Sequence, residues 1–175
     1  MDIEKIQKAR KGDDRSFYEL ISERKELLYK TAFLYVKNEQ DAMDIVGETV
    51  FHAYRSIRKL NHPEYFSTWL IKILINQALV SLRKAKPTLS LERENELALG
   101  IPGPSVEDKL DLLGAVEKLS DPYKTVIILK YIHDLPNHQI AEVLATPIGT
   151  IKTHLHRAIK QLRMSMLRGE INNES

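Results

Sequence analysis

Apolar residues in this chain recur at helical spacing almost from end to end, and no segment shows the strict alternation of a half-buried strand. A chain patterned this way can bury its apolar stripes only against other helices, so the expected fold class is all-α. The first stripe is short: it runs near Ile3 to Arg10 and stops at Gly12. Asp13 or Asp14 can cap the next helix, a long one that buries Phe17, Leu20, Ile21, Leu27 and Leu28 and continues to about Val36. Asn38 and Asp41 flank the following start. From Gln40 to Ile57, residues Ala42, Ile45, Val46, Thr49, Val50, Ala53 and Ile57 share one stripe. Asn61-His62-Pro63 interrupts the pattern. A further helix turns Phe66, Trp69, Leu70, Ile73 and Leu74 inward and ends near Lys86-Pro87.

The texture then changes. Between Leu91 and Asp108 the acids Glu92, Glu94, Glu96, Glu107 and Asp108 face Arg93 alone, and the stretch contains Gly100-Ile101-Pro102-Gly103-Pro104. Such a cluster marks a boundary. The chain of 175 residues is long enough for two small domains. The sequence thus divides into a first domain over 1–86, a flexible acidic linker over 87–105 and a second domain over 106–175. The second domain reads as four helices. One covers about Val106 to Leu119. Another, from about Tyr123 to Ile132, follows the cap-and-proline sequence Ser120-Asp121-Pro122. A short one runs from a cap at Asn137 to Leu144. The last is opened by Thr146-Pro147, the same device, and reaches about Arg168.

A short helix, a tight turn and a second helix have the dimensions of a helix-turn-helix. Ile140 and Leu144 can pack on Ile151 and Leu155, with the small Ala141 at the crossing. Ile151, Leu155, Ala158, Ile159 and Leu162 share one face of the last helix. Lys152, His156, Lys160 and Arg163 fall roughly opposite, with Thr153 and Arg157 beside them. From Val143 to Gly169 there is no Asp or Glu, although the net charge of the whole chain is only +2. A merely solvated face usually mixes signs; a purely basic one suits the phosphates of duplex DNA. On this reading Gly149, Thr150, Lys152, Thr153 and His156 lie nearest the bases, and Arg157, Lys160 and Arg163 meet phosphates.

Other classes are poorly supported. The chain has no cysteine, which excludes a disulfide framework and a thiolate metal site. It has no Gly-rich phosphate loop and no His-Glu-x-x-His motif. The six histidines are scattered, and His154 and His156 cannot share a helix face. No enzyme activity, cofactor or metal is expected. Met1-Asp2-Ile3-Glu4-Lys5 lacks the basic-then-apolar start of a signal peptide, and no uninterrupted apolar run approaches a membrane span, so a cytoplasmic protein is expected. A conventional dimeric helix-turn-helix regulator would need a ligand or dimerisation domain in the first 86 residues, and no such feature is visible there.

Three segments resemble one family. Asp41-Ala42-Met43-Asp44-Ile45-Val46-Gly47-Glu48-Thr49 resembles the Asp-Ala-Glu-Asp-Leu-Val-Gln-Glu-Thr signature of the extracytoplasmic-function (ECF) sigma factors, short members of the bacterial sigma-70 family. Phe66-Ser67-Thr68-Trp69-Leu70-Ile71-Lys72-Ile73, with Asn76 and Leu82-Arg83-Lys84, resembles that family's promoter-melting helix. Ile140-Ala141-Glu142-Val143-Leu144 and Gly149-Thr150-Ile151-Lys152-Thr153-His154-Leu155-His156-Arg157-Ala158 resemble its second domain. The segments follow the family's order and together span most of residues 13–168.

The resemblance implies a protein that binds core RNA polymerase, finds promoters and helps to open them. It implies polymerase contacts at Asp41, Asp44, Ile45, Glu48 and Phe51, where an acidic stripe can meet a partner helix bearing Arg and Lys. It implies that Asn61, His62 and Tyr65 capture bases of the melted −10 strand while Lys72, Asn76 and Arg83 follow its backbone. The second domain would read the duplex −35 element. The linker would thread toward the channel that RNA later occupies, and an anti-sigma protein, often membrane-bound, would hold the factor in check. Three departures stand out. Gly47 replaces a frequent Gln, which suggests close packing at that position, and Val80-Ser81 replaces an Asp and an aromatic. Ala145-Thr146-Pro147-Ile148 replaces a Gly-containing turn with Ser and Glu, and Ile148 alters the surface nearest the DNA.

Overall fold

The computed structural model describes residues 2–85 and 114–173, with side chains through 84 in the first stretch and 165 in the second. All regular structure among the described residues is helical. The chain divides into two compact units, Met1–Arg93 and Glu94–Ser175. The expected linker over 87–105 and most of the helix expected over 106–119 lie outside the described residues; of that helix, 114–117 are helical.

The first unit contains α1 (Ile3–Arg10), α2 (Asp14–Ser22), α3 (Lys25–Val36), α4 (Glu39–Ser56) and α5 (Phe66–Ala85), with short 3-10 turns at Ile57–Lys59 and Pro63–Tyr65. Side-chain caps open three of the helices. Asp2 accepts from Lys5 N, Asp13 from Arg15 N and Ser16 N, and Asn38 from Asp41 N, each satisfying an otherwise orphaned amide. Gly12 adopts φ +100° after α1, a conformation that favours glycine. The core is Ile6, Leu20, Leu28, Phe66, Leu70, Leu74 and Ile75, joined by the Ala42, Ile45, Thr49 and Ala53 stripe of α4.

Three sequence expectations change here. The long helix expected to Val36 is two helices, broken at Glu23-Arg24. Arg24 N bonds Ile21 O, its Nη1 donates to Leu20 O at 2.9 Å, and its guanidinium lies 5.2 Å from the Phe66 ring centre. The break shifts the helical phase, so Leu27 is 38% exposed rather than core. In α5, Trp69 and Ile73 are half-buried, while Ile71 and Ile75 take the inner positions. In α4, Val46 and Val50 sit half-buried at the margin of the stripe. The segment Pro63–Lys84 is long and apolar enough to cross a membrane by hydropathy (mean 1.2), but Phe66, Leu70, Ile71, Leu74, Ile75 and Ala78 bury its apolar face within the unit.

The second unit contains α6 (Asp121–Ile127), continued by a π-helical turn at Ile128–Ile132, then α7 (Asn137–Leu144) and α8 (Ile148–Asn173). Its core joins Val126, Ile128, Leu129, Ile140, Ile151 and Ala158, all close to fully buried. The cap positions move by one residue from expectation. Pro136 is the N-cap of α7 and Asn137 its first helical residue, with Oδ1 buried and without a hydrogen-bond partner among the described residues. The Pro147 carbonyl accepts from Thr150 N and Ile151 N, so Pro147, not Thr146, stands at the start of α8, and Thr146 Oγ1 turns back to Leu144 O. Ala145 ends α7 in the left-handed conformation at φ +48°.

Candidate nucleic-acid and protein interfaces

α7 and α8 form the helix-turn-helix. Ile140 and Val143 of α7 pack with Ile151 and Leu155 of α8; Val143 takes the inner place that spacing gave to Leu144, which is half-buried. The buried side of α8 is Ile151, Leu155, Ala158 and Leu162, with Ile159 at its edge. Lys152, Thr153, His156, Arg157, Lys160 and Arg163 are all exposed on the other side. Gly149 is exposed with open space where a Cβ would stand, and Thr150 is half-buried. Thr153 Oγ1 donates to Gly149 O at 3.0 Å, so the hydroxyl's own lone pairs remain open to a donor on a ligand. His154 does not join the face; its ring meets Tyr123 edge-on at 5.4 Å. His133, in the turn before α7, is mostly buried, and desolvation lowers its pKa to about 4.

α4 presents a surface with two wings. On the acidic wing Asp41, Asp44 and Glu48 are exposed; Gln40 Nε2 donates to Asp44 at 3.1 Å, and Glu48 lies 3.8 Å from His52. On the other wing Met43, Phe51 and Tyr54 are 61%, 52% and 50% exposed. Of these three exposed residues, sequence reasoning named Phe51 and not Met43 or Tyr54. The signal was there, since 43, 47, 51 and 54 share one helical stripe opposite the buried one. The structure corrects the place of Ile45 and limits where Gly47 can be packed. Ile45 is 3% exposed and packs into the core, so it supports this surface and does not form part of it. Gly47 is not closely packed within the chain: it is exposed, and nothing lies within 4 Å of a Cβ placed there.

The stretch between α4 and α5 is held at its ends. Leu60 is buried on one side and Phe66 on the other, which leaves Asn61, His62 and Tyr65 exposed between them. The His62 and Tyr65 rings meet edge-on at 5.9 Å, and His62 Nδ1 lies 3.2 Å from Glu64 Oε1. Glu64 is held below the usual carboxylate range, chiefly by its own backbone amide. Along α5, Lys72, Asn76 and Arg83 are exposed on a single stripe. No group of three or more His, Cys, Asp or Glu suited to a metal ion occurs among the described residues.

Two family models match the chain. Sigma-70 region 2 covers residues 20–88, and sigma-70 region 4 covers residues 109–162. RNA polymerase sigma factor SigV of Bacillus subtilis (strain 168) is 35% identical over 152 residues, 87% of this chain and 92% of its own length. The ECF RNA polymerase sigma factor SigW of the same organism is 33% identical over 177 residues, 93% of this chain and 95% of its own length. Among solved structures, the sigma factor RpoE of Bartonella quintana, in complex with the anti-sigma factor NepR, has a similar fold. Its TM-score is 0.73 at 22% identity, covering 87% of this chain and 97% of that one. CnrH, in complex with the cytosolic domain of CnrY, matches with a TM-score of 0.70 at 19% identity, covering 94% of this chain and 96% of that one. The chain therefore belongs to the ECF group of the sigma-70 family, non-enzymatic proteins that direct RNA polymerase to promoters for transcription initiation.

Proposed function

We propose that the two units divide this work, with 1–86 binding core polymerase and the melted −10 strand, 106–175 reading the duplex −35 element, and 87–105 tethering them. The observation that carries the reading is the exposed face of α8, which sets Lys152, Arg157, Lys160 and Arg163 opposite the buried residues and holds no acid between Ile148 and Ser165. The N-terminal turns of α8 enter the major groove and bring Gly149, Thr150, Lys152, Thr153 and His156 to the base edges. Arg157, Lys160 and Arg163 then take phosphates.

The α4 surface docks on the polymerase. Asp41, Asp44 and Glu48 pair with cations of a partner helix, while Phe51, with Met43, contributes apolar area beside them. In promoter opening, Asn61, His62 and Tyr65 hold a base extruded from the stack, and Lys72, Asn76 and Arg83 follow the strand backbone. The protein works in the cytoplasm, where polymerase is, and is held inactive by an anti-sigma partner. This last point is drawn from the similarly folded sigma factor RpoE, solved with the anti-sigma factor NepR. A membrane-anchored partner would hold it at the cytoplasmic face.

Run-off transcription from genomic promoters with core RNA polymerase, with and without the protein, tests the reading. Starts that appear only with the protein, and that share sequences at both elements, are expected. If starts appear with a shared −10 sequence but none near −35, the role given to α8 is lost.

A further inference from the structure

Four cations of the first unit gather beside the Asn61–Tyr65 loop. α1 packs against the Ile57–Lys59 turn that leads into the loop and against the Pro63–Tyr65 turn within it. The end of α1 brings Arg10 and Lys11, and the Ile57–Lys59 turn brings Arg58 and Lys59. The two pieces meet at Gly12, where Arg58 Nη2 lies 3.1 Å from the place a Cβ would occupy. Arg10 is half-buried, with Nε shielded from solvent and no hydrogen-bond partner among the described residues; Lys11, Arg58 and Lys59 are exposed.

Elsewhere on α1–α3 most cations are matched among the described residues: Lys5 pairs with Glu19 and Glu23, Lys8 with Glu4, Arg15 with Glu19, Arg24 with Glu23 and Lys30 with Glu26, while Lys25 stands alone at the start of α3, away from this group. No ion pair joins Arg10, Lys11, Arg58 or Lys59 to a carboxylate among the described residues. The acids in adjoining positions are engaged: Asp13 caps α2, Asp14 accepts from Tyr54, and Glu64 meets His62. The ends of α1 and α4 converge here and favour cations, but two helix termini carry only about half a unit of negative charge each. Most of the positive charge is left over for a ligand.

The geometry points to a phosphate-binding edge formed by Arg10, Lys11, Arg58 and Lys59, which takes the DNA backbone where it runs on from the Asn61–Tyr65 loop. This rests on the reading of that loop as the site of the melted −10 strand. It extends the strand's path onto α1, which lies outside the residues matched by the region 2 model. Guanidinium and ammonium groups without partners suit phosphate oxygens, and an edge of this kind is blind to sequence.

The test uses holoenzyme and a premelted template built on one of the mapped promoters, with affinity measured across a salt series. Lys11→Gln/Lys59→Gln removes two exposed charges that make no ion pairs, so folding is spared. Removing two single-strand phosphate contacts should flatten the slope of log K against log salt by about 1.4. Tyr65→Ala serves as the companion variant and should weaken binding with an unchanged slope. If Tyr65→Ala weakens binding while the double variant keeps the wild-type slope, the edge is overturned and the loop reading stands. If neither variant changes binding, both fail. A flattened slope without any effect of Tyr65→Ala supports the edge and overturns the loop.

Discussion

Tyr54 of α4 donates its hydroxyl hydrogen to Asp14 Oδ1 of α2 over 2.8 Å, and its ring meets Phe17 edge-on at 5.3 Å. The outer side of α4 is thereby fastened to α2 by a residue that is itself half-exposed. The bond to Asp14 raises the Tyr54 pKa above its ordinary 10.0. A raised folded value means that the stabilisation is complete below about pH 10 and is lost as pH rises through the folded pKa. Tyr54→Phe keeps the ring and removes the hydroxyl. Urea midpoints of wild type and Tyr54→Phe should therefore differ by a constant amount up to about pH 9.5 and converge above that. A gap that does not change with pH would show that the hydroxyl acts otherwise than through Asp14.

Gly47 is helical and exposed, with open space where a Cβ would stand. Gly47→Ala should then stabilise α4 by about 0.5–1 kcal/mol in thermal unfolding of the free protein. If the polymerase packs closely on this position, the same variant binds core enzyme more weakly while being more stable. Opposite signs in the two measurements would place the constraint in the complex and not in the fold.

Ile45 and Phe51 lie six positions apart on α4 and separate packing from docking. Ile45→Ala removes a buried side chain and should cost about 2–5 kcal/mol of stability. Phe51→Ala removes a half-exposed ring and should leave unfolding almost unchanged while weakening capture of core polymerase, as should Asp44→Lys. Co-purification with core enzyme and a denaturant titration of each variant check this. Unimpaired binding by both Phe51→Ala and Asp44→Lys would remove the α4 surface from the polymerase contact.

These residues also show what was legible in the sequence. Most helices and two of the caps could be read because they depend on local chemistry: Asp13 and Asn38 precede apolar periodicity and accept amide hydrogens as their position suggests, whereas at α7 and α8 the cap lies one residue from Asn137 and Thr146. The basic face of α8 could be read because a charge pattern projects directly onto a helix. The α2–α3 break could not be read. Glu23-Arg24 contains no Gly or Pro, and the break depends on Arg24 reaching Leu20 O and the ring of Phe66, a residue distant in sequence. The burial of Ile45 and the open space at Gly47 could not be read for a related reason. A motif match marks a helix as important without saying which of its residues support the surface and which form it.

On α8, Lys152→Ala and Arg157→Ala should weaken promoter binding and leave polymerase binding intact. The expected kinds of loss differ. Lys152 is placed near bases, so its loss should cost about 1–3 kcal/mol and relax the preference at one position. Arg157 is placed at phosphates, so its loss should act alike on all sequences and flatten the salt slope by about 0.9. Gel shifts on −35 duplexes over a salt series distinguish the two. Reduced polymerase capture by either variant would contradict the division of labour between the units.

His133 offers a prediction for the second unit alone. Burial lowers its pKa from 6.5 to about 4, so the folded unit holds the ring neutral where the unfolded chain would bind a proton. A depressed histidine gives stability that is fully present above about pH 6.5 and falls as pH drops toward 4, because the unfolded state takes up the extra proton. At about 1.36 kcal/mol per pKa unit, the loss approaches 3 kcal/mol over that interval. His133→Gln replaces the ring with a side chain that does not titrate. Amide exchange in α7 and α8 should then depend less on pH between 4 and 6.5 in the variant than in the wild type, once intrinsic exchange rates are divided out. A ring that titrates near 6.5 in the folded protein, followed by NMR, would show that His133 opens to water and would remove the acid sensitivity assigned to it.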